Sequence, residues 1–209
     1  MKKRLKLFLF IMIIFTFICV MHSESYQKHL IYYKNIVAVL TYHHIALEES
    51  AYTISPQSFS NHLRALKNNH YNVISIEQFV GFLQGKANIP ANAVVITFDD
   101  GYESFYQYAY PELMKQHMTA TNFIIVGYID NPFIHKPSTL NWKQISEMKK
   151  NGFSFYSHTY NTHSFVIDKN GKEVSALTNH LYKKSEQRLA NDEEYKQRIL
   201  MIFLKRMIF

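Results

Sequence analysis

Val94-Val95-Ile96-Thr97-Phe98-Asp99-Asp100-Gly101 is the stretch from which the rest of the chain can be read. Its first five residues are apolar or β-branched without interruption, the pattern of a strand covered on both faces. The strand delivers two adjacent carboxylates into a glycine turn. Like charges side by side repel and resist joint desolvation, so packing alone gives little reason to keep them. A bound cation resolves the conflict: one carboxylate ligates it and the other acts as a base on metal-bound water. Downstream, Ser157-His158-Thr159-Tyr160-Asn161-Thr162-His163 supplies two imidazoles. One carboxylate and two imidazoles suit zinc or another first-row divalent ion and leave positions for water and substrate. A structural zinc is more often closed by four ligands that include cysteine.

Outward from this strand, short apolar runs alternate with helical patterns. Ile36-Val37-Ala38-Val39-Leu40-Thr41 predicts a first strand ending at Tyr42-His43-His44. Ser55-Pro56 has the serine cap and first-turn proline of a helix start, and Phe59, Leu63 and Leu66 give that helix one apolar face. Residues 72–76 predict a second strand, with Ser75 capping a helix over 77–84 that Gly85 ends. The third strand covers 93–98. Residues 104–117 read as a helix that Pro111 kinks or restarts, with Phe105 and Tyr108 packing it on the sheet. A fourth strand covers 121–126, a helix 141–150 and a fifth strand 153–157. Strands separated by helices imply parallel pairing through right-handed crossovers. In such sheets functional groups gather beyond the carboxyl ends of the strands. His43, Asp99, Asp100 and His158 all fall there. Residues 186–205 read as a last helix, entered through charged residues and ending in an apolar tail at 199–209.

The chain has 209 residues, 47% hydrophobic and 15% aromatic, a globular composition of single-domain size. Of its formal charge of +7, four charges are Lys2, Lys3, Arg4 and Lys6, which leaves +3 for the rest. With no basic run outside the N-terminus, nucleic acid is not an expected partner. Those basic residues, the apolar stretch Leu7 to Met21 and the polar His22-Ser23-Glu24-Ser25 follow the order of a secretory signal. Residues 1–25 are therefore expected to be a signal peptide or uncleaved anchor, the only membrane-associated part, with the remainder secreted or at the cell surface. Cys19, the single cysteine, lies inside that run, so no disulfide framework is expected in the exported part.

The motifs resemble a known family. Thr97-Phe98-Asp99-Asp100-Gly101, and Ser157-His158-Thr159 with His163, are similar to motifs of the polysaccharide deacetylases, the NodB-type carbohydrate esterases. Leu40-Thr41-Tyr42-His43-His44 is similar to the secreted branch acting on poly-N-acetylglucosamine. The resemblance spans about residues 36–190 and implies an α/β fold, an incomplete, distorted (β/α) barrel lacking its last strand–helix units, over 36–198. It implies Asp99 as catalytic base, Asp100, His158 and His163 as ligands of a divalent ion, zinc or another of the first row, and a polysaccharide containing N-acetylglucosamine as substrate. His43, and with it Tyr42, are candidate substrate contacts. The two histidines are five apart where many members have four. No counterpart of the family's aromatic-proline motif or of its late acidic histidine is present; His180, in a stretch read as helical, is taken as a surface residue. The sequence therefore reads as an exported metal-dependent N-deacetylase, or else as an inactive truncated fragment retaining at most metal or glycan binding. A phosphohydrolase using the same aspartates lacks a phosphate-binding glycine loop.

Overall fold

The structure is a computed structural model that describes residues 12–16, 30–129, 131–133, 135–162 and 164–206. The chain divides into two units, Met1–Tyr32 and Tyr33–Phe209. In the first, residues 12–16 are helical, and most of the expected export segment, Cys19 included, lies outside the described residues. Among the described residues no helix is long and apolar enough to cross a membrane.

The second unit is built around a parallel sheet. Its strands are β1 (Val37–Tyr42), β4 (Asn72–Val73), β5 (Ala93–Asp100), β6 (Thr121–Ile125) and β7 (Ser154–Thr159), between which lie the two-residue strands β2 (His44–Ile45) and β3 (Thr53–Ile54). The order is β1-β5-β6-β7, with β4 against the start of β5, and every pairing is parallel. β5 is central and buried without a break from Ala93 to Phe98, as its composition requires. β1 and β7 are only partly buried, as strands at the two ends of that order.

The helices follow from their caps. α1 (Pro56–Asn68) starts at Ser55, whose hydroxyl accepts from the Ser58 amide, and it buries Phe59, Leu63 and Leu66. α2 (Ile76–Leu83) and, later, α5 (Trp142–Lys150) each begin with a reciprocal capping box, Ser75 with Gln78 and Asn141 with Gln144. Capping draws Ser75 out of extended pairing, so β4 stops at Val73 rather than at 76. Phe98 joins the layers: its ring lies 5.6 Å from Phe59, 5.3 Å from Tyr42 and 4.7 Å from Phe105.

Residues 104–117 do not form one helix. A π-helical turn, Phe105–Ala109, precedes α3 (Tyr110–Gln116), and the Tyr110 amide bonds to the Phe105 carbonyl. Pro111 has no N–H, and its ring would clash with the carbonyl four residues back in a regular helix; the wider turn accommodates both. Phe105, Ala109 and Leu113 are the buried residues of this segment, whereas Tyr108, expected to pack, is 40% exposed.

After β6 come the short α4 (Val126–Ile129), α5 and β7, then two antiparallel pairs, β8 (Phe165–Ile167) with β9 (Glu173–Ser175) and β10 (Tyr182–Lys183) with β11 (Arg188–Leu189). The last helix, α6 (Asp192–Arg206), therefore begins later than 186. Asn191 and Glu194 cap its start reciprocally, and Glu194 also takes Arg188 from the preceding hairpin. The apolar run from 199 to 206 is part of this helix, as expected to 205. His180 is not helical, and its side chain is partly exposed. Its ring stacks on Tyr195 at 4.8 Å, with Nδ1 2.6 Å from the Ala190 carbonyl.

Candidate active site

The parallel register brings the distinctive side chains together. Tyr42 pairs with Phe98, so the next residues on the two strands, His43 and Asp99, are neighbours, with His43 Nε2 3.9 Å from Asp99 Oδ2. Asp100 pairs with Ile124, which lies opposite Ser157. The register of β6 and β7 then slips: Ile125 pairs with Thr159, and His158 is the extra residue. Such a bulge re-aims a side chain. Here His158 Nε2 lies 3.8 Å from Asp100 Oδ1. Two carboxylate–imidazole pairs thus stand at the carboxyl end of the sheet, His43 with Asp99 across the β1–β5 edge and His158 with Asp100 across the intervening β6. β5 and β7 run slightly further than expected, so Asp99, Asp100 and His158 sit in the last turns of their strands rather than after them.

The turn that presents Asp100 depends on its backbone. Asp100 has φ +71° and Gly101 φ +75°. Aspartate tolerates the left-handed region better than most residues, and glycine tolerates it freely. A Cβ at position 101 would also come within 3.0 Å of Ile124 Cγ2 and 3.2 Å of its Cβ. Gly101→Ala is therefore expected to destabilise the fold by about 2–4 kcal/mol, from backbone strain plus overpacking. Chemical denaturation measures this, and a loss below about 0.5 kcal/mol would show that the turn relaxes freely.

His43 and Asp100 line a cleft of about 730 Å³, together with Tyr52, Tyr102, Thr162 and Phe165. A groove of the same volume beside Trp142 and Ile145 holds no carboxylate or imidazole, so the carboxylate–imidazole chemistry belongs to the first. Burial, then the Asp100 charge and its hydrogen bond with that carboxylate, push the Tyr102 phenol up. Tyr102 thus stands beside Asp100, a neighbour the sequence does not signal. His44 serves the wall instead: its Nδ1 lies 3.4 Å from Thr53 Oγ1, its ring meets Tyr102 edge-on, and burial lowers its pKa.

Tyr42, read as a candidate substrate contact, turns the other way. Its ring packs on Phe59 and Phe98, and its hydroxyl lies 3.1 Å from His62 Nδ1. The exposed His62 is thus the partner of that phenol. Burial pushes the Tyr42 phenol up to about 12. The folded state holds this proton more tightly than the unfolded chain, whose tyrosines titrate near ~10. The associated stability is full below pH ~10 and is lost as pH rises toward about 12. Melting temperature should accordingly fall more steeply over that interval in the wild type than in Tyr42→Phe; parallel pH profiles would contradict the assignment.

His163, the third expected metal ligand, lies outside the described residues. Among the described residues no three His, Cys, Asp or Glu side chains converge as a metal-binding group. The Asp100–His158 pair nevertheless fits an ion. Donors bonded at ~2.0–2.2 Å to one zinc-like ion lie no more than ~4.4 Å apart. Their separation of 3.8 Å satisfies that bound. A carboxylate and an imidazole are also the donor types such an ion takes.

An open parallel α/β sheet thus carries an Asp-Asp pair and two imidazoles at one end. The chain belongs to the polysaccharide deacetylase family, whose model matches residues 86–202. It is 27% identical over 210 residues to a poly-β-1,6-N-acetyl-D-glucosamine N-deacetylase of Staphylococcus epidermidis, covering 83% of this chain and 72% of that protein. Likeness to the Staphylococcus aureus proteins of the same description is 28% over 166 residues, and this chain spans 56% of their length. Among solved structures, a de-N-acetylase from Aggregatibacter actinomycetemcomitans superposes with a TM-score of 0.73 at 31% identity, covering 81% of this chain and 72% of that one. The BpsB deacetylase domain from Bordetella bronchiseptica shares the fold, with a TM-score of 0.68 at 23% identity over 81% of this chain and 72% of that one.

Proposed function

We propose that this chain removes N-acetyl groups from N-acetylglucosamine units of an extracellular polysaccharide, by metal-assisted hydrolysis of the amide. The observation that carries the reading is the pairing of His43 with Asp99 and of His158 with Asp100, at 3.9 and 3.8 Å, at the carboxyl end of the sheet. The substrate class comes from relatives described as poly-β-1,6-N-acetyl-D-glucosamine N-deacetylases. Residues 36–198 form the deacetylase domain in this reading, and residues 1–25 carry it out of the cytoplasm.

Asp100, His158 and His163 are the residues that would hold the ion. When bound, a divalent ion supplies polarisation of the acyl oxygen and acidification of the attacking water. Asp99 takes one proton from that water as its oxygen attacks the acyl carbon. His43 Nε2, on the far side of the Asp99 carboxylate, gives a proton to the departing nitrogen, because an amide anion is too basic to leave. The C–N bond breaks, and acetate and a free amine result. The 3.9 Å between His43 and Asp99 exceeds a direct hydrogen bond and leaves a reacting atom room to touch both.

The test is acetate release from β-1,6-linked N-acetylglucosamine oligomers by the zinc-loaded chain, with bound metal quantified in the same sample. Acetate formed in proportion to bound metal supports the proposal; a metal-loaded chain that releases none removes it.

A further inference from the structure

Two aromatic rings on the cleft are left in solvent by elements that are otherwise well held. Tyr52 is 73% exposed and Phe165 is 72% exposed, yet both line the cleft that contains His43 and Asp100. Neither is on a loose loop. The Tyr52 carbonyl accepts from the His44 amide, and its own amide donates to Ser50 Oγ. Phe165 opens β8 and pairs with Ser175 on β9. Their positions also follow from the topology. Tyr52 stands beside the end of β1, its ring 5.7 Å from the His43 imidazole, while Phe165 follows β7. β1 and β7 are the opposite ends of the strand order, and β5, which carries Asp99 and Asp100, lies between them.

A polar group points to the same ligand. Thr162 also lines the cleft and is 8% exposed, and its hydroxyl is buried with no hydrogen-bond partner among the described residues. A buried hydroxyl normally has a partner, so this one is suited to a ligand group or to the water that a ligand displaces. Apolar rings with a few placed polar groups are the usual composition of a binding cleft, and a volume of about 730 Å³ takes more than one sugar ring. The C–H face of a pyranose is the apolar surface that an exposed aromatic ring can cover, and the ring hydroxyls suit Thr162.

We propose that Tyr52 and Phe165 are sugar-stacking platforms on the two walls of the cleft, with the Thr162 hydroxyl as a polar anchor, so that the site grips units on both sides of the reacting one. The protein then selects internal stretches of the polymer over isolated sugars. This rests on the deacetylase reading for its choice of ligand.

The experiment measures calorimetric binding of two- and six-unit β-1,6-linked N-acetylglucosamine oligomers to the full chain, alongside acetate release. The variants are Tyr52→Ala, Tyr52→Phe and Phe165→Ala. The six-unit oligomer should bind wild type more tightly than the two-unit one. Each alanine variant should weaken six-unit binding by about five- to tenfold and narrow the difference between the two lengths, while Tyr52→Phe, which keeps the ring, restores it. Both side chains are mostly in solvent, so their removal leaves no core cavity. Six-unit affinity unchanged by either alanine variant, or both lengths weakened equally, overturns the proposal. Length-dependent binding without acetate release would retain the platforms and defeat the deacetylase reading. Acetate release whose length dependence ignores both rings would do the reverse.

Discussion

Asp99→Asn should lower acetate release by about 10²–10⁴-fold, the range that a positioned general base contributes. Asparagine has nearly the same shape, so the packing around the strand end survives, but its amide cannot take a proton from water. The partner ring, His43, stays 3.9 Å away and still faces the same atom position. Metal affinity should change little, because the ligands assigned are Asp100, His158 and His163. Turnover is read as kcat/KM on a six-unit oligomer, with metal content and melting temperature measured beside it. An unchanged rate would remove Asp99 from the chemistry. A parallel loss of bound metal would move it into the ligand set and hand the base role to another group.

That the two acids stand at the carboxyl end of the sheet was readable from the sequence because chemistry and position agreed, whereas the choice of Asp99 as base came from the family resemblance. Val94 to Phe98 could only be a covered strand, and a covered strand ending in two acids needs something to neutralise them. Caps were equally legible: Ser55, Ser75 and Asn141 each stand where a short polar side chain satisfies the free amides of a helix start. What stayed hidden depends on register. His158 reaches Asp100 through a slip between β6 and β7 that only their pairing creates. Tyr42 and His43 illustrate the same point from the other side. They were grouped as substrate contacts, yet successive residues of a strand face opposite ways. His43 on the cleft therefore obliges Tyr42 to enter the core against Phe59 and Phe98. The start of α6 was misread for a different reason: charge from 186 onward suggested helix, while Asn191 and Glu194 already formed a capping box that fixes the start six residues later. Tyr52 and Phe165 carry no periodic signal, since loop and hairpin positions show their purpose only through exposure.

Asp100→Ala separates a metal ligand from a structural acid, because the two roles predict different stabilities in the metal-free protein. Asp100 is 7% exposed and adjoins Asp99, so in the absence of an ion its charge is a burden on the fold. Removing it relieves that burden while alanine at φ +71° adds backbone strain, so the metal-free protein should keep its stability to within about 1 kcal/mol, while zinc affinity falls by more than ~100-fold. Losing only an outer partner of a ligand costs ~10–100-fold, and that smaller loss is expected for Tyr102→Phe, whose hydroxyl no longer holds the carboxylate. Competition with a chromophoric chelator gives both affinities without reference to turnover, and denaturation in excess chelator gives the metal-free stabilities. The graded order wild type, Tyr102→Phe, Asp100→Ala is what a ligand held by a neighbouring phenol requires. If Asp100→Ala instead destabilised the metal-free chain by more than about 2 kcal/mol with zinc affinity intact, the carboxylate would be serving the turn at Gly101. The ion would then need a different set of donors at this end of the sheet.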